Sequence, residues 1–349
     1  MKRVRLRPET WRCCEFDLLS DRRERQEWGA LLLHFLRSIA YHAHKYVARS
    51  KWFAAIYLGA VSAVCRNCVG SQFGARMANL LGGRGINWPQ IAFRPRSVVV
   101  GARTEVMLTP HIGEFDWAVL LGRQLNYEQS VFCWLEQNVN ERYDAVIEIG
   151  ANVGVYSVFF DALIKASPNS RLKKVIAFEP ALEPYTRLLE NLKANGAAFV
   201  LPFRAAIADT TGFRMFYEPK DHLTNGSFDE KFSGIFSDTV TETLVLAISP
   251  RELEGFFSPG GKVLVKIDVE GYEPALMTAF KEIVRRYQPD FLIEVLQGTP
   301  EALEELDFLG GYERYLIGPD GLQKHPKLRA DERHRDWLLR APGRPSAVQ

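Results

Sequence analysis

Residues 146–157 read Val-Ile-Glu-Ile-Gly-Ala-Asn-Val-Gly-Val-Tyr-Ser, an apolar strand followed by a turn with two glycines and the start of a helix. Glycine has no Cβ atom, so Gly150 and Gly154 let the backbone approach a ligand that other side chains would block. In a doubly wound sheet such a turn lies at the carboxyl end of a strand, where ligands bind. The stretch therefore predicts an α/β fold with a binding site at this turn. A tight strand-to-helix turn without a ligand is the structural alternative.

Short apolar runs and amphipathic segments alternate on both sides of this stretch. This alternation is typical of right-handed βαβ units and predicts a doubly wound, mostly parallel sheet. A β-like stretch at 312–317, which follows a predicted helix at 300–308, suggests an edge strand or hairpin that closes the sheet. The predicted strands are 145–149, 174–178, 200–208, 263–269 and 291–295, and the predicted helices between them are 153–164, 182–194, 250–257 and 273–287.

The chain divides into three predicted segments. Residues 24–81 lack proline and carry apolar residues at helical spacing, which indicates two or three helices. Three glycines at 82–85 and Pro89 break that pattern, and the first β-like run begins at Arg96. We therefore predict a basic helical N-terminal region over 1–90, an α/β domain over 91–335 that continues to a sheet-closing strand, and a flexible tail over 336–349.

The N-terminal region is strongly basic although the whole chain has a net charge of only +2. Residues 1–90 hold 15 Lys and Arg against 6 Asp and Glu, and no acidic residue occurs between Glu27 and Glu105. Two interpretations stay open: a helical cap that docks on the acidic remainder of the chain, or peripheral contact with an anionic membrane. No nucleic-acid partner is predicted, because the basic residues are dispersed and no recognition motif accompanies them.

The spacing around the glycine turn narrows the choice of ligand. A dinucleotide site has the pattern G-x-G-x-x-G with an acid about 20 residues on, but here three residues separate Gly150 from Gly154. A phosphate loop needs Gly-Lys followed by Ser or Thr, and Gly261-Lys262 is followed by Val263. A ligand with a ribose and an adenine but no pyrophosphate fits better. Glu179, at the end of the second strand, can accept hydrogen bonds from ribose hydroxyls, or else it caps the next helix.

A second cluster of charged residues follows the strand at 263–269. Lys266, Asp268 and Glu270 alternate along the chain, so their side chains share one face above the carboxyl end of the sheet. Buried charges need partners or a ligand, which makes these residues candidates for catalysis, with a structural Lys266–Glu270 pair as the alternative. Together with Glu294 they also present oxygen ligands suited to a divalent cation, although the sequence does not require one.

These motifs resemble those of FkbM-type methyltransferases, which use S-adenosylmethionine. The resemblance covers roughly residues 125–310 and rests on the combination of motifs in this order. It departs from the family at Glu148, where an aspartate is usual, and at 246–249, where Leu-Ala-Ile-Ser replaces the usual Thr-Leu-Asp. The matching motifs are Glu-Ile-Gly-Ala-Asn-Val-Gly at 148–154, Phe-Glu-Pro at 178–180, Asn191 with Asn195, Ala-Ile-Ala-Asp at 206–209 and Lys-Ile-Asp-Val-Glu-Gly at 266–271.

The resemblance implies a class I methyltransferase fold, which is Rossmann-like with a seven-stranded sheet and helices on both faces. It also implies that Asp268 and Glu270, next to Lys266, face the reacting centre. Glu148 is expected to orient the glycine loop or to meet the ammonium group of the cofactor. The resemblance also implies which residues contact each part of S-adenosylmethionine. The methionine part is contacted by Gly150, Asn152 and Gly154, the ribose by Glu179, and the adenine by Ala206 and Ile207.

The predicted function is therefore O-methylation of a hydroxyl on a sugar, glycan or secondary metabolite, with S-adenosylhomocysteine as the second product. Asp268 or Glu270 is the predicted base or acceptor-orienting group, with His222 as a further candidate. The alternatives are a catalytically silent module that binds the cofactor, and an NAD-dependent oxidoreductase. No secretory signal follows Met1, so the protein is expected in the cytoplasm, with membrane-peripheral contact as an option.

Overall fold

The computed structural model describes residues 42–67, 91, 93–111, 116–220, 226–237, 239–331 and 333–343. The strands are β1 (Arg96–Val100), β2 (Thr104–Leu108), β3 (Ala145–Ile149), β4 (Lys174–Phe178), β5 (Val200–Phe203), β6 (Ala206–Ile207), β7 (Gly212–Pro219), β8 (Val240–Ile248), β9 (Val263–Ile267), β10 (Asp290–Glu294), β11 (Glu313–Gly318), β12 (Gly321–His325) and β13 (Asp336–Arg340). The α-helices are α1 (Lys51–Asn67), α2 (Asp116–Leu121), α3 (Gln129–Arg142), α4 (Val155–Ala166), α5 (Leu182–Ala194), α6 (Glu230–Phe236), α7 (Glu273–Ala279), α8 (Lys281–Tyr287) and α9 (Pro300–Glu304).

The main sheet has eight strands in the order β12-β11-β13-β10-β9-β3-β4-β5. The five strands from β10 to β5 in this order are mutually parallel, and β13 runs antiparallel between β10 and β11. The predicted α/β class with a mostly parallel sheet is confirmed. The predicted number of seven strands is too low by one, because the chain turns back after Gly318 and adds β12 at the edge.

The C-terminal strand β13 corrects the predicted flexible tail. Residues 336–340 lie inside the sheet, and Trp337, Leu338 and Leu339 are almost fully buried. The short apolar run Trp-Leu-Leu supplies side chains to both faces of the sheet, which stabilises a strand between β10 and β11. The α/β domain therefore extends beyond residue 335.

Alternate side chains of the central strands enter two separate cores, one on each face of the sheet. Val146 of β3 packs in the same cluster as Phe159 of α4. Its neighbour Ile147 packs in the other cluster with Leu276 of α7 and Phe280. Because both faces of β3 are buried, its sequence is almost continuously apolar, as expected for a parallel strand covered by helices on both sides.

Several predicted elements are subdivided in the structure. The predicted helix at 273–287 consists of α7 and α8, which meet at Phe280, and the predicted strand at 200–208 consists of β5 and β6. The segment Pro250–Phe256 is a 3-10 helix. Residues 101–144, without a predicted element, contain β2, α2 and α3. A second sheet of three strands, in the order β6-β8-β7, was not predicted either.

The N-terminal region is described in part. A helical turn over 42–47 precedes α1, and the remaining predicted helices of residues 24–81 lie outside the described residues. The buried side of α1, with Ala54, Leu58 and Val61, packs against Leu120 and Leu121 around α2. Within the described ranges, no helix is both long and apolar enough to cross a membrane.

Candidate active site

A cavity of about 460 Å³ opens where the carboxyl ends of β3, β4, β9 and β10 meet. The antiparallel strand β13 begins at this same edge, so its first residue also reaches the cavity. Eight of the ten predicted site residues line it, and Glu148 and Gly154 do not. The eight are Gly150, Asn152, Glu179, Ala206, Ile207, Lys266, Asp268 and Glu270.

Gly150 brings the ends of β3 and β9 together at the floor of this cavity. Its φ of +83° belongs to the left-handed region, which favours glycine. A Cβ atom at this position would lie 1.8 Å from the carbonyl oxygen of Asp268. The Asp268 N–H in turn donates to the Ile149 carbonyl at 3.1 Å. The glycine therefore serves a backbone-to-backbone contact that no other residue permits.

Glu148 and Gly154 support the turn from outside the cavity. The Glu148 side chain is 1% exposed and accepts a hydrogen bond of 2.6 Å from the Ser157 hydroxyl of α4. Burial raises the pKa of this carboxyl to about 7. At Gly154, a Cβ atom would lie 2.2 Å from Cδ1 of Leu188, so this glycine allows α4 to pack closely on α5. The Glu148 carboxyl therefore binds the first turn of α4, directly after the glycine turn.

Glu179 links the glycine turn to the start of α5. Its Oε2 accepts the Asn152 N–H at 2.8 Å and its Oε1 accepts the Ala181 N–H at 2.9 Å. Burial raises the pKa of this carboxyl to about 7. Each carboxylate oxygen can accept a further hydrogen bond, so the helix-capping role and a ribose contact are compatible. The buried Oδ1 of Asn152 accepts no hydrogen bond from any described residue, which leaves an acceptor for a ligand donor at this turn.

Lys266, near the carboxyl end of β9, also lines the cavity. Its ammonium donates to Oδ2 of Asp268 at 3.0 Å and lies 4.5 Å from the centroid of the Tyr156 ring. The side chain is almost fully buried. Burial lowers the pKa of Lys266, but the charges of Asp268, Glu128 and Glu148 outweigh burial and raise it above its usual value. Lys266 is therefore a fixed cation that holds the Asp268 carboxylate in place.

Further carboxyl groups surround this pair, and two of them were not predicted. Glu128, just before α3, accepts a hydrogen bond from the Tyr156 hydroxyl, and Asp336 is the first residue of β13. Burial raises the pKa of both. Burial and the charge of Asp268 raise the pKa of Glu270 to about 9 and that of Glu294 to about 8.

Aromatic side chains from β7 of the second sheet and from two loops also line the cavity. Phe216 of β7 contacts Phe228 edge to face, with 5.4 Å between ring centroids. The Arg214 guanidinium lies 4.8 Å from the centroid of the Phe228 ring, and Phe228 and Tyr272 pack edge to face at 5.3 Å. These aromatic side chains provide apolar surface for a planar or cyclic ligand.

Two other predictions concern a divalent cation and His222. Within the described ranges, no group of three or more His, Cys, Asp or Glu side chains is arranged to hold a metal ion, so the structure gives no support to the divalent cation considered at Asp268, Glu270 and Glu294. His222 lies outside the described residues.

The raised pKa values predict how stability depends on pH. Glu270 and Glu294 keep their protons in the folded protein up to about pH 9 and 8, whereas in the unfolded chain they titrate near 4.5. The folded state thus binds more protons between these values, so the free energy of unfolding falls as pH rises. The slope approaches about 1.4 kcal/mol per pH unit for each such carboxyl.

Thermal unfolding of the ligand-free protein at several pH values between 6 and 9 measures this effect. We expect the unfolding midpoint to fall steadily over this range, and Glu294→Gln to flatten the decline. A midpoint that rises with pH over this interval contradicts the assigned protonation of the cluster.

Comparison with known proteins agrees with the predicted family. Residues 148–317 match the family model of the methyltransferase FkbM domain. No curated protein sequence matches the chain.

Solved structures show weaker similarity. A methyltransferase FkbM from Methylobacillus flagellatus KT is 14% identical with a TM-score of 0.36, and the match covers 56% of this chain and 43% of that one. A SAM-dependent methyltransferase from Agrobacterium tumefaciens is 11% identical with a TM-score of 0.37, covering 72% and 71%. TYW2 from M. jannaschii, solved with AdoMet, is 14% identical with a TM-score of 0.33, covering 72% and 83%. The chain thus spans less than half of the Methylobacillus protein.

The family model runs from Glu148 in β3 to Ile317 in β11 and spans most of the residues that line the cavity, although Glu128 and Asp336 lie outside it. It includes the glycine turn, Glu179 and the Lys266–Asp268 pair, which the fold brings to one edge of the sheet. Residues 148–317 therefore form a methyltransferase FkbM domain.

Proposed function

We propose that the protein is an S-adenosylmethionine-dependent O-methyltransferase that acts on a hydroxyl of a sugar, glycan or secondary metabolite. The observation that carries the proposal is the single cavity in which the glycine turn with Glu179 faces the Lys266–Asp268 pair. One wall suits a nucleoside-type cofactor, and the other presents a fixed carboxylate to an acceptor.

The residues of the cavity fit S-adenosylmethionine. The volume of about 460 Å³ lies in the range of small-molecule sites. Gly150 lines the cavity, and the buried Oδ1 of Asn152 is available to a donor on the cofactor. In our proposal Glu179 accepts hydrogen bonds from the ribose hydroxyls, and Ala206 and Ile207, which also line the cavity, contact the adenine.

The proposed chemistry needs positioning, exclusion of water and one proton acceptor. Bound S-adenosylmethionine supplies an electrophilic methyl group. An acceptor alcohol must lose its proton as its oxygen gains the methyl, and a carboxylate within hydrogen-bond reach is a suitable base. Asp268 is that carboxylate in our proposal: it lines the cavity, and Lys266 fixes its Oδ2 at 3.0 Å. The proton passes from the acceptor hydroxyl to the Asp268 carboxylate.

Glu270 is the less suitable of the two predicted bases. With a pKa of about 9 it carries a proton at neutral pH, so it donates a hydrogen bond rather than accepting a proton. Glu294, with a pKa of about 8, is in the same position. Protonated carboxyls both donate and accept, which matches the alternating donor and acceptor character of hydroxyl-bearing substrates. We assign these two residues to acceptor orientation.

Isothermal titration of the purified protein with S-adenosylmethionine, S-adenosylhomocysteine, NAD⁺ and NADH tests the cofactor. We expect micromolar binding of the first two and no binding of NAD⁺ or NADH. Saturable binding of NADH alone contradicts the proposal and favours the oxidoreductase. Binding of the two sulfur ligands without methyl transfer in a screen of glycans and polyketides favours the silent module.

A further inference from the structure

The N-terminal helix α1 presents an apolar face on each of its two sides. On one side Ala54, Leu58 and Val61 are buried against the α/β domain. On the other side the exposed positions recur at helical spacing, which places them on one face. They are Trp52, Phe53, Ile56, Ala60, Ala63 and Val64, here called the outer face.

The outer face is unusual for a protein surface because its largest side chains are also among its most exposed. Trp52 is 67% exposed, Phe53 56%, Ile56 52% and Val64 55%. Single exposed apolar residues are common, but a contiguous apolar stripe marks an interaction surface. The outer face is therefore a candidate surface for contact with an apolar partner.

Cations flank this face at the amino end of α1. Lys45, Arg49 and Lys51 are all exposed. No acidic residue occurs in the sequence between Glu27 and Glu105. An apolar stripe with aromatic residues at its end and basic residues beside it is the pattern of a helix that lies in a membrane interface.

Side-chain hydrogen bonds fix α1 on the domain in an orientation that keeps the outer face outward. The Ser62 hydroxyl donates to the Leu120 carbonyl at 2.6 Å, and Nη1 of Arg66 donates to the Val119 carbonyl at 3.0 Å. With 17 residues the helix is about 26 Å long, shorter than the roughly 30 Å hydrocarbon core. A docked helix of this length can rest on a bilayer but does not cross it.

We propose that the outer face of α1, with the adjoining cations, binds the surface of an anionic lipid bilayer. Anionic headgroups neutralise Lys45, Arg49 and Lys51, while Trp52, Phe53 and Ile56 enter the boundary between headgroups and acyl chains. A second copy of the chain is the alternative partner, which the sedimentation experiment below identifies. The inference does not depend on the proposed methyl transfer.

Co-sedimentation of the full-length protein with lipid vesicles tests the proposal. Phosphatidylcholine vesicles with roughly a third of phosphatidylglycerol are compared with pure phosphatidylcholine at low salt and at about 0.5 M salt. We expect binding to the anionic vesicles that weakens as salt rises, and little binding to the neutral ones. Absence of binding to the anionic vesicles, or equal binding to both kinds, overturns the proposal.

Two variants separate the contributions of charge and apolar contact. The charge variant Lys45→Glu/Arg49→Glu/Lys51→Glu is expected to bind at least about 100-fold more weakly at low salt, since each cation near an anionic surface contributes about fivefold. The apolar variant Trp52→Ser/Phe53→Ser/Ile56→Ser is expected to bind at least about tenfold more weakly. Binding that is unchanged in the apolar variant overturns the proposal.

The matched control removes exposed apolar side chains elsewhere. Phe213 and Leu246 form a cross-strand pair in the second sheet and are 73% and 43% exposed. Phe213→Ser/Leu246→Ser is expected to bind vesicles like the wild type, and a loss equal to that of the apolar variant overturns the assignment to α1. Thermal unfolding verifies that each variant is folded.

Two further measurements decide the matter if the apolar variant does not fold or if the protein self-associates. Trp52→Phe preserves the helix, and we expect brominated acyl chains to quench wild-type tryptophan fluorescence more than that of this variant. Equal quenching contradicts insertion of Trp52. Sedimentation velocity tests whether a second copy is the partner instead. If the wild type is an oligomer that Trp52→Phe or the charge variant dissociates, and neither the wild type nor that variant binds vesicles, the partner is a second copy and the proposal is overturned.

Discussion

Replacement of Gly150 by alanine is expected to abolish binding of S-adenosylmethionine and to destabilise the fold. The new Cβ would lie 1.8 Å from the Asp268 carbonyl oxygen, a distance that forces β3 and β9 apart at the floor of the cavity. The positive φ adds a conformational cost of about 1 kcal/mol, and the backbone clash adds more. We expect a loss of roughly 3 kcal/mol in unfolding free energy and no detectable titration heat with the cofactor.

Gly260→Ala is the matched control for this substitution. Gly260 has a φ of +74°, close to that of Gly150, but a Cβ atom there has no atom within 4 Å, and the residue does not line the cavity. We expect it to cost only the conformational part, about 1 kcal/mol, and to bind the cofactor normally. If Gly150→Ala behaves like Gly260→Ala in both denaturation and titration, the close backbone contact is not what the site requires.

The parallel core of the fold was predictable because its signals are local. β3, β4 and α5 have the predicted bounds. β3 and β4 are short, almost continuous apolar runs, and α5 has apolar residues at helical spacing, so both kinds of element can be recognised from the local sequence. The sequence around β13 carries no such local signal. Its five residues follow a polar stretch, and only pairing with β10 and β11, which are distant along the chain, makes Trp337 and its neighbours core residues.

The candidate site likewise contains residues that local motifs predict and residues that only the tertiary structure brings in. The residues on the glycine turn and after β9 belong to compact motifs whose spacing carries chemical meaning, and eight of the ten predicted residues line the cavity. Glu128 and Asp336 were missed because their proximity to Lys266 arises from tertiary structure alone. Glu148 and Gly154 show the opposite case, in which a motif residue supports the turn without reaching the cavity.

The missed acids change the interpretation of the predicted ones. A sequence with Lys266, Asp268 and Glu270 suggests one cation between two carboxylates. In the structure Glu128, Glu294 and Asp336 join the same group, and one buried ammonium does not neutralise so many carboxylates. Protons therefore remain on Glu270 and Glu294, which removes Glu270 as a base and leaves Asp268.

Asp268→Asn is expected to lower the turnover number for methyl transfer by at least about 100-fold while leaving the affinity for S-adenosylmethionine within about twofold. The amide retains the size of the carboxylate but does not accept a proton. Single-turnover measurements at saturating cofactor report the chemical step, and titration calorimetry reports the affinity. Asp307→Asn, at a side chain that is 79% exposed and outside the cavity, is the matched control and should have wild-type activity.

Glu270→Gln distinguishes the two candidate bases. Because the Glu270 pKa of about 9 keeps this carboxyl neutral at pH 7.5, the neutral amide replaces a group that is already uncharged, and we expect less than about a tenfold loss of turnover. The wild type should also lose activity above pH 9, as Glu270 ionises beside Asp268, whereas Glu270→Gln should not. If Glu270→Gln is inactive and Asp268→Asn turns over normally, the roles are reversed and Glu270 is the base.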